Sequence, residues 1–279
     1  MSEAETAEKH IASHAKNDFQ KDLYILKQLV TKDFKIKYRR SFLGVAWSVL
    51  NPLLMMIVMA VVFSTIFAQG RNGGVVTPEM YPLYLIVGNV TFQVMSDSTS
   101  QALMSIFWAS SLLKKVKIHR WVFPVQKILF SLVNFAFSLV AVAIVMLWFR
   151  IVPTWHLLLL PVALLLLMLF CTGIGMMLSA LMVFFRDVQH LWGVVITAWT
   201  YATPIFWTSD YIYAMDPWLQ AVMLGNPMYN YLQFMRDIFL FQTTPNLQTV
   251  VLCVAWALVS LVIGYAVFHK TEHKFILYI

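Results

Sequence analysis

Charge is what this sequence has least of. Asp, Glu, Lys and Arg make up 12% of its 279 residues, roughly half the share of an ordinary water-soluble domain. With 60% of the residues hydrophobic, there is too little polar surface to clothe a globule, so most of the chain must have lipid as its solvent. Cysteine is nearly absent too. Cys171 and Cys253 stand inside apolar runs, where a thiol acts as a small hydrophobe, and they imply neither a disulfide framework nor a redox compartment. No GxxxxGK[ST] run occurs, which excludes a phosphate loop for ATP in this chain; any ATP and Mg belong to a partner, and the chain is expected to hold no cofactor of its own. Metal chemistry finds no support either. The tail "HKTEH", residues 269–273, fits a zinc-protease pattern in form only, because almost no chain follows it to supply a further ligand. The first forty residues are polar and lack the short basic stretch, apolar core and small-residue cleavage site of a signal peptide, so the first span is expected to stay in the mature protein.

What the sequence does have is long apolar runs. About 20 residues are needed to cross a hydrocarbon core as a helix, and residues 46–68, 83–108, 124–149, 156–183, 190–208 and 247–268 each read as such a span. The expectation is an all-α integral membrane protein of six transmembrane helices. Residues 1–45 form a cytoplasmic arm with an amphipathic interface helix, and residues 46–279 form one membrane domain. Lys and Arg gather in the arm, around 114–127, at Arg186 and at the C-terminus, leaving Arg71, Arg150 and Arg236 for the other side. Since cation-rich loops stay cytoplasmic, both termini are expected inside a cell (inner or plasma) membrane. The formal charge of +7 then reports topology and anionic lipid, not nucleic acid.

Within this frame several stretches carry chemistry. Residues 19–40 repeat Phe19, Leu23, Leu26, Val30 and Phe34 at helical spacing with cations opposite, which reads as a helix in the membrane interface. It leads through "KYRRSFLGVAWSVLNP" into the first span, where Gly44 permits a close turn and Trp47 suits headgroup depth. Its cations either fix topology alone or hold a phosphorylated ligand. The second span places Asn89, Gln93, Ser96 and Ser100 in one stripe, with Asp97 and Gln101 on its flank. Such a stripe bonds to another helix or lines a hydrated path, because an unpartnered polar group in lipid costs several kcal/mol; Asp97, the one acid well inside a span, is a candidate site by default. The stretch "SLLKKVKIHRWVFP", residues 111–124, reads as a short amphipathic cytoplasmic helix. Gly173, Gly175 and Ser179 suit close helix packing. Trp192, Trp199, Thr203 and Phe206 share a face of the fifth span, either as packing or as a platform for sugar rings. Residues 209–246 are too polar to cross and too apolar to lie free in water, so short re-entrant outer helices are expected between spans five and six.

Four of these stretches occur in an order that resembles a known family: "IKYRRSFLGVAWSVLNPLL", the basic linker 111–124, "FFRDVQHLWGVVITAWTYATPIFW" and "GNPMYNYLQFMRDIF". The family is that of the membrane subunits of ABC-2-type exporters of polysaccharide, O-antigen and teichoic acid. The resemblance implies a homodimer that binds two ATP-binding cassette subunits and moves a lipid-linked glycan outward, with ATP and Mg held by those subunits. It implies that the arm helix borders a lateral gate, with Lys37, Arg39 and Arg40 at the lipid phosphate. It also makes Leu112, Lys114, Lys115, Lys117, His119, Arg120 and Trp121 the ATPase-coupling segment, and the broken stretch after Thr203-Pro204 the outer gate. The pathway between two copies would draw on Trp192, Trp199, Thr203, Phe206, Asn89, Gln93, Ser96, Asp97 and Ser100. The alternative is an integral-membrane glycosyltransferase using a lipid-linked sugar, for which Glu79 is the sole acid in the first outer loop.

Overall fold

Where lipid replaces water, the backbone must satisfy its own hydrogen bonds, which leaves helices or closed barrels; among the described residues all regular structure is helical. The computed structural model describes residues 3–39, 44–67, 76, 80–115 and 118–278, with side chains of the first helix described from Gln20 and those of the second up to Val62. Among these residues eleven α-helices follow in order. They are α1 (Glu3–Tyr38), α2 (Ala46–Phe67), α3 (Tyr81–Trp108), α4 (Ser110–Leu113), α5 (Val122–Trp148), α6 (Leu160–Phe184), α7 (Val188–Ala202), α8 (Pro217–Gly225), α9 (Pro227–Arg236), α10 (Leu247–Thr271) and α11 (Phe275–Tyr278).

Among the described residues three helical stretches, Val122–Trp148, Trp155–Phe184 and Leu247–Lys274, are long and apolar enough to cross a membrane, and Ala46–Val62 is a shorter apolar helix. α3 is the most enclosed, packed against α2, α5, α6, α7 and α9. Its hydroxyls explain how a polar helix tolerates that position. Thr91, Ser98, Thr99 and Ser105 donate to the carbonyls of Val87, Met95, Met95 and Ala102 at 2.6–3.1 Å, so these hydroxyls, which lie beside the predicted stripe, are satisfied within the helix itself.

α6 and α10 form the tightest pair. A Cβ on Gly264 would lie 1.9 Å from the Gly173 carbonyl oxygen, and one on Gly173 would lie 2.2 Å from the Ser260 backbone. The small residues of this run therefore set a backbone-to-backbone approach, as their spacing suggests.

Two elements differ from the sequence expectation. α7 has 15 residues, about 22 Å of helix, and stops at Ala202 instead of continuing to 208. Pro204 explains the stop, because the residue before a proline is driven out of the helical region, and Thr203 is extended at φ −104°, ψ 136°. The amphipathic helix expected over 111–124 is a single turn, α4, followed by turns at Lys114 and Lys115 and again at Arg120 and Trp121. A helix through this stretch would stack the like charges of Lys114, Lys117 and Arg120 at three-residue spacing on one face, and the chain instead restarts as α5 at Val122.

Short helices do occupy 217–236. Asn226 caps α9 by accepting from the Met228 amide at 3.0 Å, and α9 ends in a π-helical turn, Asp237–Phe241, closed by Gln242 at φ 53°.

Candidate functional site

The two ends of the bundle carry different polar constructions. At the first, α1 runs beside α5. Asp22 is buried and meets His119 at 2.6 Å; Asp33 accepts from Gln126 at 2.6 Å and Lys127 at 2.5 Å. Further along, Lys37 Nζ and the Tyr38 hydroxyl both donate to Asn134 Oδ1, at 3.0 and 2.9 Å. Phe34 stacks on Phe137 with centroids 5.9 Å apart. These rungs recur over about 24 Å of helix; of the apolar face expected to rest in the interface, Phe34 meets α5 while Leu23 stays exposed.

Gly44, at φ 46°, turns the chain from α1 toward α2, and the Tyr38 hydroxyl reaches Ser48 Oγ at 2.5 Å. Between α1, α2, α3 and α5 lies a cavity of about 310 Å³ lined by Lys37, Tyr38, Trp47, Ser48, Asn51, Gln93, Asp97, Ser131, Asn134 and Ser138 among others. It joins Lys37, expected at a phosphate, with Gln93 and Asp97, expected on a pathway. Asn89, Ser96 and Ser100 are half-buried and do not line it. Arg39 is turned away. It shares an exposed groove with Gln28, Thr31, Lys32 and Lys35, so Lys37 and Arg39 are not one compact array; Arg40 lies outside the described residues. The missed contributors are Ser131, Asn134 and Ser138, which stand at three- and four-residue spacing in an otherwise apolar run and were legible as a second polar stripe.

The coupling residues divide in the same way. Leu112 and Trp121 pack on a buried cluster that includes Ile106, Phe123, Phe268 and Phe275. Lys114 and Lys115 are exposed, Arg120 is half-buried, and Lys117 lies outside the described residues. His119 belongs to this segment and to the α1 contact at once.

α7 carries Trp192 and Trp199 of the predicted face, turned into the chain, while Thr203 and Phe206 lie beyond its end. Trp192 Nε1 donates to Thr99 Oγ1 at 3.2 Å, and Trp199 Nε1 donates to Asn226 Oδ1 at 2.8 Å. The two rings meet edge to face at 6.5 Å, and both remain half-buried. Buried Thr203 bonds back to the Trp199 carbonyl at 2.8 Å and accepts from Asn226 Nδ2 at 3.2 Å. The opposite face, with Gln189, His190, Gly193, Val194 and Thr197, is exposed.

The second end is closely packed. Arg236, one of the three cations expected on the outer side, is fully buried, with its guanidinium 3.5 Å over the Tyr84 ring and Nη2 donating to the Pro204 carbonyl at 2.7 Å. Its burial follows from helical packing: "YNYLQFMR" mixes polar and apolar letters, yet as α9 nearly all of it is buried. Tyr84 donates to the carbonyls of Pro204 and Trp207 at 3.1 and 3.0 Å, and Tyr81 donates to that of Phe206 at 2.5 Å.

Residues 24–240, which contain both constructions apart from Asp22, match the family described as ABC-2 type transporter. The chain belongs to that family. It is a multi-pass membrane permease, and ATP hydrolysis resides in a separate protein; ABC-2 permeases pair with ATP-binding subunits. The permease is similar over 252 residues, at 29% identity, to the "O-antigen export system permease protein RfbA" of Myxococcus xanthus, covering 90% of this chain and 94% of that one. A protein of the same name from Klebsiella pneumoniae is 25% identical over 90% of this chain and 93% of its own. The glycosyltransferase alternative falls with this membership.

Proposed function

We infer that this permease exports a lipid-linked cell-surface polysaccharide of O-antigen type, moving it from the cytoplasmic to the outer side of the cell membrane. The observation that carries the reading is the cavity at the α1 elbow, considered with the names of the two relatives. It is polar, open beside an otherwise apolar bundle, and sets one cation, Lys37, and the neutral donors Asn134, Ser131, Ser138 and Gln93 in the same lining as one acid, Asp97. That chemistry suits a phosphate or pyrophosphate joining a glycan to its lipid, since a charge-assisted bond is worth roughly twice a neutral one. Lys32, Lys35 and Arg39, on the opposite face of α1, suit the anionic headgroups of the inner leaflet; Arg40 adjoins them in sequence.

In this reading six helices span, namely α2, α3, α5, α6, α7 and α10, with both termini cytoplasmic and α8 and α9 re-entering from outside. α3 is admitted because its polar face is enclosed by other helices, and α7 because the segment after it extends its reach. Two copies meet through the exposed face of α7 and enclose the pathway, and two ATP-binding cassette subunits, holding ATP and Mg, dock at 112–121. Trp192, Trp199 and Phe206 stiffen the pathway wall, offering the half-exposed ring surface that sugar faces pack on.

The test is ATP turnover by purified protein in lipid. The permease alone is expected to show none, and the permease with its ATPase is expected to show turnover that rises with lipid-linked polysaccharide. Turnover by the permease alone, or indifference of the complex to the glycan, overturns the reading.

A further inference from the structure

Arg236 has five N–H donors in a fixed fork, and this structure uses few of them. Nη2 bonds to the Pro204 carbonyl, while Nε and Nη1 are buried without a hydrogen-bond partner among the described residues. The neighbouring acid is engaged elsewhere, as Asp237 accepts from Gln233 at 2.9 Å. A guanidinium so placed is poorly stabilised by its surroundings, because burying an ion costs heavily unless it is paired and fully bonded. The space around it is nonetheless shaped for it. A Cβ on Gly88 would lie 2.6 Å from Nη2, so α3 has a glycine where the fork lies against it, and the Tyr84 ring supplies the π face beneath.

What the fork touches is as informative. Residues 203–208 lie between the end of α7 and the turn at Ser209–Ala214, and Thr203, Pro204, Ile205 and Thr208 are buried. Three of this segment's carbonyls, those of Pro204, Phe206 and Trp207, are satisfied by side chains of Arg236, Tyr81 and Tyr84. Bonds made by side chains on other helices are lost together when the segment moves away, whereas a helix keeps its own bonds as it moves.

We propose that Arg236 is the positioning residue of a latch, made with Tyr81 and Tyr84, that holds the 203–208 segment closed across the outer end of the pathway. The idle Nε and Nη1 donors are the other half of the device. They leave the closed state only marginally favoured, and when the segment swings out they gain water as a partner. The proposal rests on the export reading above, since it needs an outer end to seal.

The experiment uses the permease with its ATPase in proteoliposomes loaded with labelled sucrose, a neutral solute of sugar size, and measures escape without ATP. Arg236→Met keeps the length of the side chain and removes the fork. Gly88→Ala keeps the fork and dislodges it by contact. Each is expected to raise sucrose escape about tenfold, the equilibrium change for losing one charge-assisted bond, while the thermal midpoint of the folded permease stays near that of the parent. The double variant is expected to leak no more than Arg236→Met alone, because the methyl group added by Gly88→Ala acts only through the fork. Sucrose retention equal to the parent in folded Arg236→Met overturns the latch. If that variant does not fold, retention by Gly88→Ala overturns it. A parent complex that does not respond to lipid-linked polysaccharide refutes the export reading instead, and a parent that responds while its variants stay sealed refutes the latch alone.

Discussion

Two cations mark the two ends of this permease, and their surroundings are opposites. Lys37 is exposed on the end of α1, bonded to one side-chain amide, beside a cavity of about 310 Å³. Arg236 is fully buried over Tyr84, bonded to one backbone carbonyl, where a methyl group on Gly88 would already collide with it. The first arrangement leaves room for a ligand and costs little to vacate. The second leaves room for nothing and binds the protein to itself. A translocation pathway needs both kinds of end, one that admits and one that seals, and the same charge serves either purpose according to the space beside it.

The largest effect that would break this comparison is at Arg236. Arg236→Ala leaves a hole in a close-packed site and is expected to cost about 2–5 kcal/mol of stability. Arg236→Met fills most of that volume and removes a poorly bonded ion, and is expected to lie within about 1 kcal/mol of the parent. Denaturation midpoints in detergent separate the two. Equal losses would mean that the charge itself holds the fold, and Arg236 would become a structural ion, unlike the latch drawn from its idle donors.

The counterpart at the open end sharpens the same contrast. Lys37→Met is expected to leave the midpoint nearly unchanged, because the ammonium is exposed, yet to raise the half-saturating concentration of lipid-linked polysaccharide in ATPase assays ten- to a hundredfold. That range corresponds to about 1.5–3 kcal/mol for a charge-assisted contact. Asn134→Leu, which removes the acceptor shared by Lys37 and Tyr38, should shift it in the same direction by less. Unchanged half-saturation in both variants would separate the cavity from the substrate.

Much of this architecture was legible beforehand, and the reason differs by region. The apolar runs of α2, α5, α6 and α10 appear in sequence because lipid selects every face of a helix it surrounds. The close pair of Gly173 and Gly264 was half-visible, since only one strand of the contact stood out by spacing. What sequence could not supply was direction. Lys37, Arg39 and Arg40 are neighbours on paper, but successive residues on a helix face different ways, and Lys37 enters the cavity while Arg39 joins Lys32 and Lys35. The enclosure of Arg236 is hidden for a related reason: it stands in a polar-looking connection, and only the packing of α9 on α3 reveals that it is buried. The Trp192 and Trp199 face was identified correctly as a face, while its inward bonds to Thr99 and Asn226 depend on partners far away in sequence.

A smaller effect is expected from the ladder that joins the two parts of the open end. Asp33 holds Gln126 and Lys127 in one carboxylate, and Asp22 holds His119 of the coupling segment. Asp33→Asn keeps the shape and removes the charge, which should cost about 1 kcal/mol or less in stability. If α1 carries movement from the docked ATPase to the cavity, the stimulation of ATP turnover by polysaccharide should fall severalfold while unstimulated turnover persists. Loss of both together would indicate that α1 only supports assembly.

The smallest effect is expected where the sequence alone suggested a large one. Arginine grips a phosphate with a paired fork and lysine with a single charge, so Arg39→Lys is a sensitive probe of a phosphate contact that leaves net charge and topology untouched. Arg39 lies with Lys32 and Lys35 in an open groove on the side of α1 away from the cavity, where the physics is that of a basic surface near anionic headgroups, worth about 1 kcal/mol per cation whichever cation supplies it. Arg39→Lys should therefore change half-saturation by polysaccharide less than about twofold, while Arg39→Gln should weaken the salt-sensitive stimulation by anionic lipid. The measurement is polysaccharide titration of ATP turnover at matched complex, in neutral and in anionic vesicles. A tenfold rise for Arg39→Lys in neutral vesicles would move the phosphate site from the cavity to the groove and reverse the roles of the two faces of α1.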